Sequence, residues 1–210
     1  MTQAAQNPSV LQQRVIIPNN HGEQLVGILH ETGSVEIVIL CHGFRSTKDN
    51  NIMVNLAVAL ENAGLSSFRF DFSGNGESEG SFQYGHYKRE ADHIHAVAQY
   101  FCGANRVVSA TVGHSKGGDV VLLYASKYHD IGIVVNLFGR YNLKAGIAER
   151  IGKDFMERIK QDGFIDVKKI SSDYRVTEES LMDRLNKHQY ARSMSSDRQT
   201  MRGPYSTWIC

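Results

Sequence analysis

The chain has 210 residues, 41% hydrophobic and 21% charged, enough for one domain with a substantial core. Its formal net charge is +1 with no long run of one sign, so nothing marks a nucleic-acid groove or an anionic membrane surface. The longest apolar runs are strand-sized, which gives no candidate for a bilayer span. Taken in order, residues 14–18 and 25–30 read as strands, and Asn19-Asn20-His21-Gly22 between them as the turn of an antiparallel hairpin. Residues 35–41 are nearly all apolar, as in a strand covered on both faces, and run into His42-Gly43-Phe44-Arg45. A helix is predicted over 49–63, capped by Asp49, with Ile52, Leu56, Leu60 and Ala63 as its apolar stripe and Gly64 as its stop. Residues 67–72 form the next strand, and Ser73 to Gly80 its exit loop. A helix over 86–101 carries Tyr87, Ala91, Ile94, Ala98 and Phe101 on one face.

The centre of the chain is Gly113-His114-Ser115-Lys116-Gly117-Gly118, after the apolar run 107–112 and before the apolar run 120–125. Strand, sharp turn, helix is the reading, with a G-x-S-x-G pattern at the turn, the pattern of a nucleophile elbow. The residues two before and two after the serine must be tiny, because strand and helix pass close together there. Gly113 and Gly117 meet that demand. A helix starting at the serine also offers free N–H groups to negative charge. Residues 131–138 read as a further buried strand, and strands alternating with helices predict a parallel sheet with right-handed crossovers.

Beyond about residue 143 the character changes. Residues 145–161 are amphipathic, with Ile151, Phe155 and Ile159 at helical spacing. Residues 162–167 and 173–176 look like short extended pieces without buried strands. Thr177 is placed to cap a helix with Glu178 and Glu179 in its first turn and Leu181 and Leu185 inside. The last ten residues hold a Gly-Pro breaker and the only tryptophan, with no regular period, and read as a tail.

Three ordered segments, His42-Gly43-Phe44, Asp71-Phe72-Ser73-Gly74-Asn75-Gly76-Glu77-Ser78 and the elbow, together resemble the α/β-hydrolase superfamily. The likeness is nearest to its cinnamoyl (feruloyl) esterase-like, monoacylglycerol lipase-like and S33-type serine aminopeptidase branch, and runs from about residue 14 to 195. It implies an α/β-hydrolase fold: a mostly parallel sheet, an N-terminal antiparallel hairpin and a helical lid insertion. The implied organisation is one incomplete domain over 1–210, with 14–143 as sheet core, 144–195 as lid and 196–210 as an unlike tail. It also implies that Ser115 is the nucleophile and that the backbone N–H groups of Phe44 and Lys116 form the oxyanion hole. The implied substrate is a small-molecule ester or other acyl compound, with no cofactor and no metal.

A serine hydroxyl needs a histidine base and an acid to orient it, in the chain order Ser, Asp or Glu, His. The resemblance places both after strands that the 210 residues do not supply, so the chain is expected to be a hydrolase lacking its last strands and inactive for want of that acid and histidine. Of the histidines after Ser115, His129 falls at the far end of the elbow helix and His188 in a polar helix, with Asp166, Asp173 and Asp183 upstream as possible acids. His114 points away as part of the elbow, and His42 shapes the oxyanion loop. His93 and His95, two apart on a helix, face different ways and are no metal pair. An uncovered sheet edge after the last strand would favour self-association. Two further readings compete: a non-catalytic α/β-hydrolase-like binding protein, and a dinucleotide loop at Gly74-Asn75-Gly76, which two glutamates beside it oppose electrostatically. Residues 1–13 carry no targeting pattern, and Cys41, Cys102 and Cys210 have no CxxC spacing, so a cytoplasmic location is expected.

Overall fold

A computed structural model describes residues 11–140, 142–168 and 173–186. The chain opens with the antiparallel hairpin β1 (Leu11–Pro18) and β2 (Gln24–Glu31), turned by Asn19, whose side-chain oxygen accepts the N–H groups of His21 and Glu23. There follow β3 (Glu36–Cys41), α1 (Asn51–Asn62), β4 (Ser66–Phe70), α2 (Tyr87–Gly103), β5 (Val107–His114), α3 (Lys116–Tyr128) and β6 (Ile133–Leu137). These strands form one six-stranded sheet in the order β1-β2-β4-β3-β5-β6, parallel from β4 to β6 and antiparallel in the hairpin and at its junction with β4. The mostly parallel α/β sheet expected from the alternation of elements is therefore present.

The core lies on both faces of this sheet. On one face, Ile37, Ile39, Phe68 and Phe70 of the strands pack against Ala91, Ile94 and Ala98 of α2 and Val120, Val121 and Tyr124 of α3. On the other, Val38, Leu40, Ala110 and Val112 meet Met53 and Ala57 of α1. The expected face of α2 is buried at every position named for it, from Tyr87 to Phe101.

Helix α1 departs from expectation in two details. Its cap is Asn50, whose Oδ1 accepts the Ile52 N–H at 3.0 Å. Asp49 cannot serve, because its carboxylate is held by Arg69 and Lys48. The buried stripe runs through Met53 and Ala57, flanked by Leu56 and Leu60, while Ile52 is exposed. Gly64 ends the helix as expected, with φ 75° and the Leu65 N–H bonding back to Leu60 O.

Strand β6 is not the doubly covered strand its apolar run suggested. It is the sheet edge, and Ile133 (57%), Val135 (38%) and the following Phe138 (86%) stand open. Helix α3 packs against β6 and partly covers Val134, while α1 lies mainly against β3 and β4 and leaves Ile133 and Val135 uncovered.

Past β6, the amphipathic stretch divides at Gly152, which has φ 102°, into α4 (Ile147–Ile151) and α5 (Phe155–Asp162). The two extended pieces pair as an antiparallel ribbon, β7 (Phe164–Val167) with β8 (Tyr174–Thr177). They do bury one face, Ile165, Val167, Tyr174 and Val176, against α5 and α6 (Glu178–Asn186) rather than joining the main sheet. Thr177 caps α6 through its hydroxyl, which accepts the Ser180 N–H at 3.2 Å. This second cluster includes Phe44, Phe82 and Tyr84, so residues 142–168 and 173–186 sit on the loops that leave β3 and β4. Among the described residues, no helix is long and apolar enough to cross a membrane.

Candidate active site

Ligands of open α/β sheets bind beyond the carboxyl ends of the strands, and Ser115 stands there, between β5 and α3. Its backbone has φ 53° and ψ −115°, a conformation that L-residues rarely adopt and that persists only when the surroundings enforce it. The surroundings do so. The Ser115 N–H donates to Leu137 O at 2.8 Å, which ties the turn to the end of β6. A Cβ at Gly113 would strike Gly117 O, and one at Gly117 would strike the backbone carbonyls of Cys41 and His42. Gly113 therefore permits the close crossing of strand and helix that the sequence pattern implied, and Gly117 also lets the loop after β3 pass.

Phe44 and Lys116, the two backbone positions named with Ser115, flank it on two sides. Lys116 opens α3, so its N–H lies in the first turn, where intrahelical acceptors are missing. Phe44 follows Gly43, and a Cβ at Gly43 would lie 3.3 Å from Ser115 Cβ, so the loop after β3 runs beside the serine. The positive end of the α3 dipole also lies at Ser115.

His42 shapes this loop rather than acting on Ser115. Its Nε2 accepts the Phe72 N–H at 3.1 Å, and its Nδ1 donates to Gly43 O at 2.8 Å. Burial, opposed by the Gly43 bond and by Asp71, pushes its pKa down to about 4, so the ring is neutral and fixed in one tautomer. His114 lies against the Phe138 ring. His129 is exposed at the C-terminal end of α3, as expected, and His188 lies outside the described residues. Of the possible acids, Asp166 is paired with Arg175 on the β7–β8 ribbon, and Asp183 accepts the Tyr87 N–H at 2.6 Å. Asp173 is near the ribbon too, beside Tyr174. Among the described residues, no side chain hydrogen-bonds the Ser115 hydroxyl, and no group of His, Cys, Asp or Glu is arranged to hold a metal.

Two buried ion pairs support the site and were not visible in the sequence. Lys116 Nζ donates to Glu90 Oε1 at 2.6 Å, clamping the first turn of α3 to α2. Lys48 donates to Asp71 through both its backbone N–H (2.6 Å) and its Nζ (2.9 Å), pinning the end of the loop after β3 to the strand beside it. Burial acts against the Lys48 charge, but Glu77, Asp71 and Asp49 outweigh it and raise its pKa. The partners lie 26 and 23 residues apart, and no local pattern links them.

The same cluster removes the dinucleotide reading of Gly74-Asn75-Gly76. The Asp71 carboxylate occupies the inside of that loop, taking the Glu77 N–H at 3.0 Å, and a Cβ at Gly76 would strike it. A pyrophosphate would meet a buried carboxylate where it needs donors.

Above Phe44, the rings of Phe82, Tyr84 and Tyr174 pack edge to face against it at 5.4–5.9 Å, and Arg150 lies over it at 4.8 Å. The loop after β3 is thus roofed by Tyr174 and by two aromatic side chains of the loop after β4.

Ser115 thus sits strained between a strand and a helix, with the loop after β3 beside it. The pattern of the family described as Serine aminopeptidase, S33 matches residues 33–197. The chain belongs to that family. Among curated proteins, none matches the chain. Among solved structures it is similar to the Pyrococcus furiosus esterase Pf2001, with 23% identity and a TM-score of 0.62 over 71% of this chain and 58% of that one. It is also similar to Est1E from Butyrivibrio proteoclasticus, solved with ferulic acid bound, at 20% identity and a TM-score of 0.65 over 82% of this chain and 70% of that one. The mouse alpha/beta hydrolase domain-containing protein 10 matches at 15% identity and a TM-score of 0.63, over 83% of this chain and 70% of that one. At these identities the likeness establishes the α/β-hydrolase fold. The chain spans 58% of the Pyrococcus esterase's length, less than two thirds.

Proposed function

We propose that this S33-family chain carries the nucleophile half of a serine hydrolase site whose complete form cleaves a carboxylic ester through an acyl-enzyme on Ser115. The observation that carries the reading is the enforced φ 53° conformation of Ser115 at the head of α3, with Gly43 packed against it. In this reading the Ser115 oxygen attacks the ester carbonyl as its proton passes to a base that the described residues do not supply and that returns it to the departing alcohol oxygen. The Phe44 and Lys116 N–H groups receive the negative charge that develops on the carbonyl oxygen. Collapse expels the alcohol and leaves the acyl group on Ser115, and water then releases it. Each donor of such a pair is worth about 3–4 kcal/mol of barrier. Residues 144–195 act as the lid, and the aromatic roof over Phe44 supplies an apolar wall for the acyl group. The aromatic acid in the Est1E structure is compatible with a wall of this kind.

One observation favours a second reading, a non-catalytic α/β-hydrolase-like binding protein: no described side chain hydrogen-bonds the Ser115 hydroxyl. Labelling with a fluorophosphonate serine probe separates the two, on protein shown to be folded by circular dichroism. Labelling of the native chain that vanishes in Ser115→Ala supports catalysis. A folded but unlabelled chain supports the binding protein. The open β6 edge, with Ile133 and Val135 exposed, further supports self-association with a second copy of this chain through that strand.

A further inference from the structure

A cavity of about 260 Å³ lies between the first turns of α2 and the Ser73–Gln83 loop, with Glu23 of the β1–β2 turn in its wall. His93 lines it and is 1% exposed, yet neither ring nitrogen has a hydrogen-bond partner among the described residues. Arg89 Nε, on the same wall, is buried and equally unpartnered. Orphaned buried polar atoms of this kind cost about 1–3 kcal/mol each unless something in the cavity satisfies them. Gly80, with φ 93°, packs closely on two of the lining side chains, since a Cβ there would strike Ser73 Oγ and Glu23.

The wall chemistry narrows the occupant. Glu23 is bound by Arg89 at 2.6 Å, and Glu90 by Lys116 at 2.6 Å, so the fixed charges around the cavity balance. A charged ligand would be desolvated there without a counter-charge, which is strongly unfavourable. Burial, with Arg89 and His21 adding to it, pushes the His93 pKa down to about 3, so near neutral pH the ring is one donor and one acceptor. Hydroxyl groups, which donate and accept at once, match that ring and the Ser73 hydroxyl beside it. The volume falls just below the roughly 300–1,000 Å³ of drug-sized pockets, which suits a smaller molecule.

We propose that this cavity is a binding site for a neutral, hydroxyl-rich small molecule of polyol or monosaccharide size, held by His93, Arg89 and Ser73. The test titrates glycerol and glucose into the full chain labelled with ¹⁵N, following the backbone amides and the His93 ring nitrogens. Glycerate and ethanolamine serve as anionic and cationic controls. Saturable shifts centred on Ser73, Gln83, Arg89 and His93 are expected, with affinity weakened roughly tenfold in His93→Phe, as for the loss of one or two hydrogen bonds. Gln83→Ala, half-buried at the cavity wall, keeps the test alive if His93→Phe does not fold, and should weaken binding by about threefold or more. Shifts that rise linearly and scatter over the surface would overturn the proposal. So would charged controls that bind as tightly, or full affinity in the folded variants. A cavity that holds only water gives the first of these outcomes.

Discussion

At Ser115 the chain holds one residue in a rare conformation, and the glycines around it show what holds it there. Gly113 and Gly117 were readable from the motif because the demand on them is local: two backbones crossing within five residues leave no space for a Cβ. Gly117→Ala would drive its methyl into the Cys41 and His42 carbonyls, which cannot move without displacing the oxyanion loop. A loss of about 1–3 kcal/mol is expected, read as a lowered urea midpoint, together with loss of any Ser115 labelling. The Glu90–Lys116 pair was not readable. Glu90 looks like an ordinary first-turn glutamate, and only the packing of α2 on α3 brings it to Lys116. Glu90→Ala leaves a buried ammonium alone and should cost about 3–5 kcal/mol in denaturant melts. Glu90→Leu combined with Lys116→Met removes both charges and should recover most of that loss.

At the scale of elements, strand and helix positions followed from hydrophobic period, whereas caps and cover did not. Asp49 and Asn50 are equally good caps by composition, and the choice fell to Asn50 because Arg69 claims Asp49. Helix α2 has no side-chain cap of its own at His86, which sits in the left-handed region. Its first N–H is capped instead from α6, by Asp183 on Tyr87, a residue 96 positions away. A second tie, from Arg184 Nε to Leu143 O at 2.9 Å, holds the same helix to the start of this region. Asp183→Ala should therefore cost about 1 kcal/mol and loosen residues 142–186 as well. Limited proteolysis would show it as faster cleavage in that region while 11–140 stays protected. Equal cleavage in both chains would mean that Asp183 is not the tie.

For the molecule as a whole, pH and association are the informative variables. His42 and His93 are both buried with pKa values held to about 4 and about 3, against an ordinary value of 6.5. The folded state thus binds fewer protons than the unfolded one, so their contribution is complete above pH 6.5 and is lost as pH falls toward 4 and below. Each histidine gives a slope approaching 1.4 kcal/mol per pH unit in that window. Glu23, held near 2, Glu31 and Asp49 have depressed values and add to the acid loss only below about 4.5. Urea midpoints should fall steadily from about pH 6.5 to about pH 4.5, and His93→Phe should flatten that slope by about half. Association is expected to follow β6. Sedimentation should depend on concentration in the native chain, and Val135→Lys, a charge on the open strand, should suppress it.

The sequence by itself determined the order of strands and helices, the elbow at Ser115, the glycines that permit it and the family. Each of these rests on periodicity or on contacts within a few residues. Only the tertiary structure decided that β6 is an edge, that the 162–176 segments pair and bury one face, and that Asp71 fills the Gly74–Gly76 loop. It alone placed Glu90 on Lys116 and left His93 facing a cavity. The physical reason is the same in each case. Burial and ion pairing depend on which surfaces meet across tens of residues, and an apolar run or a glutamate carries no mark of its eventual neighbour.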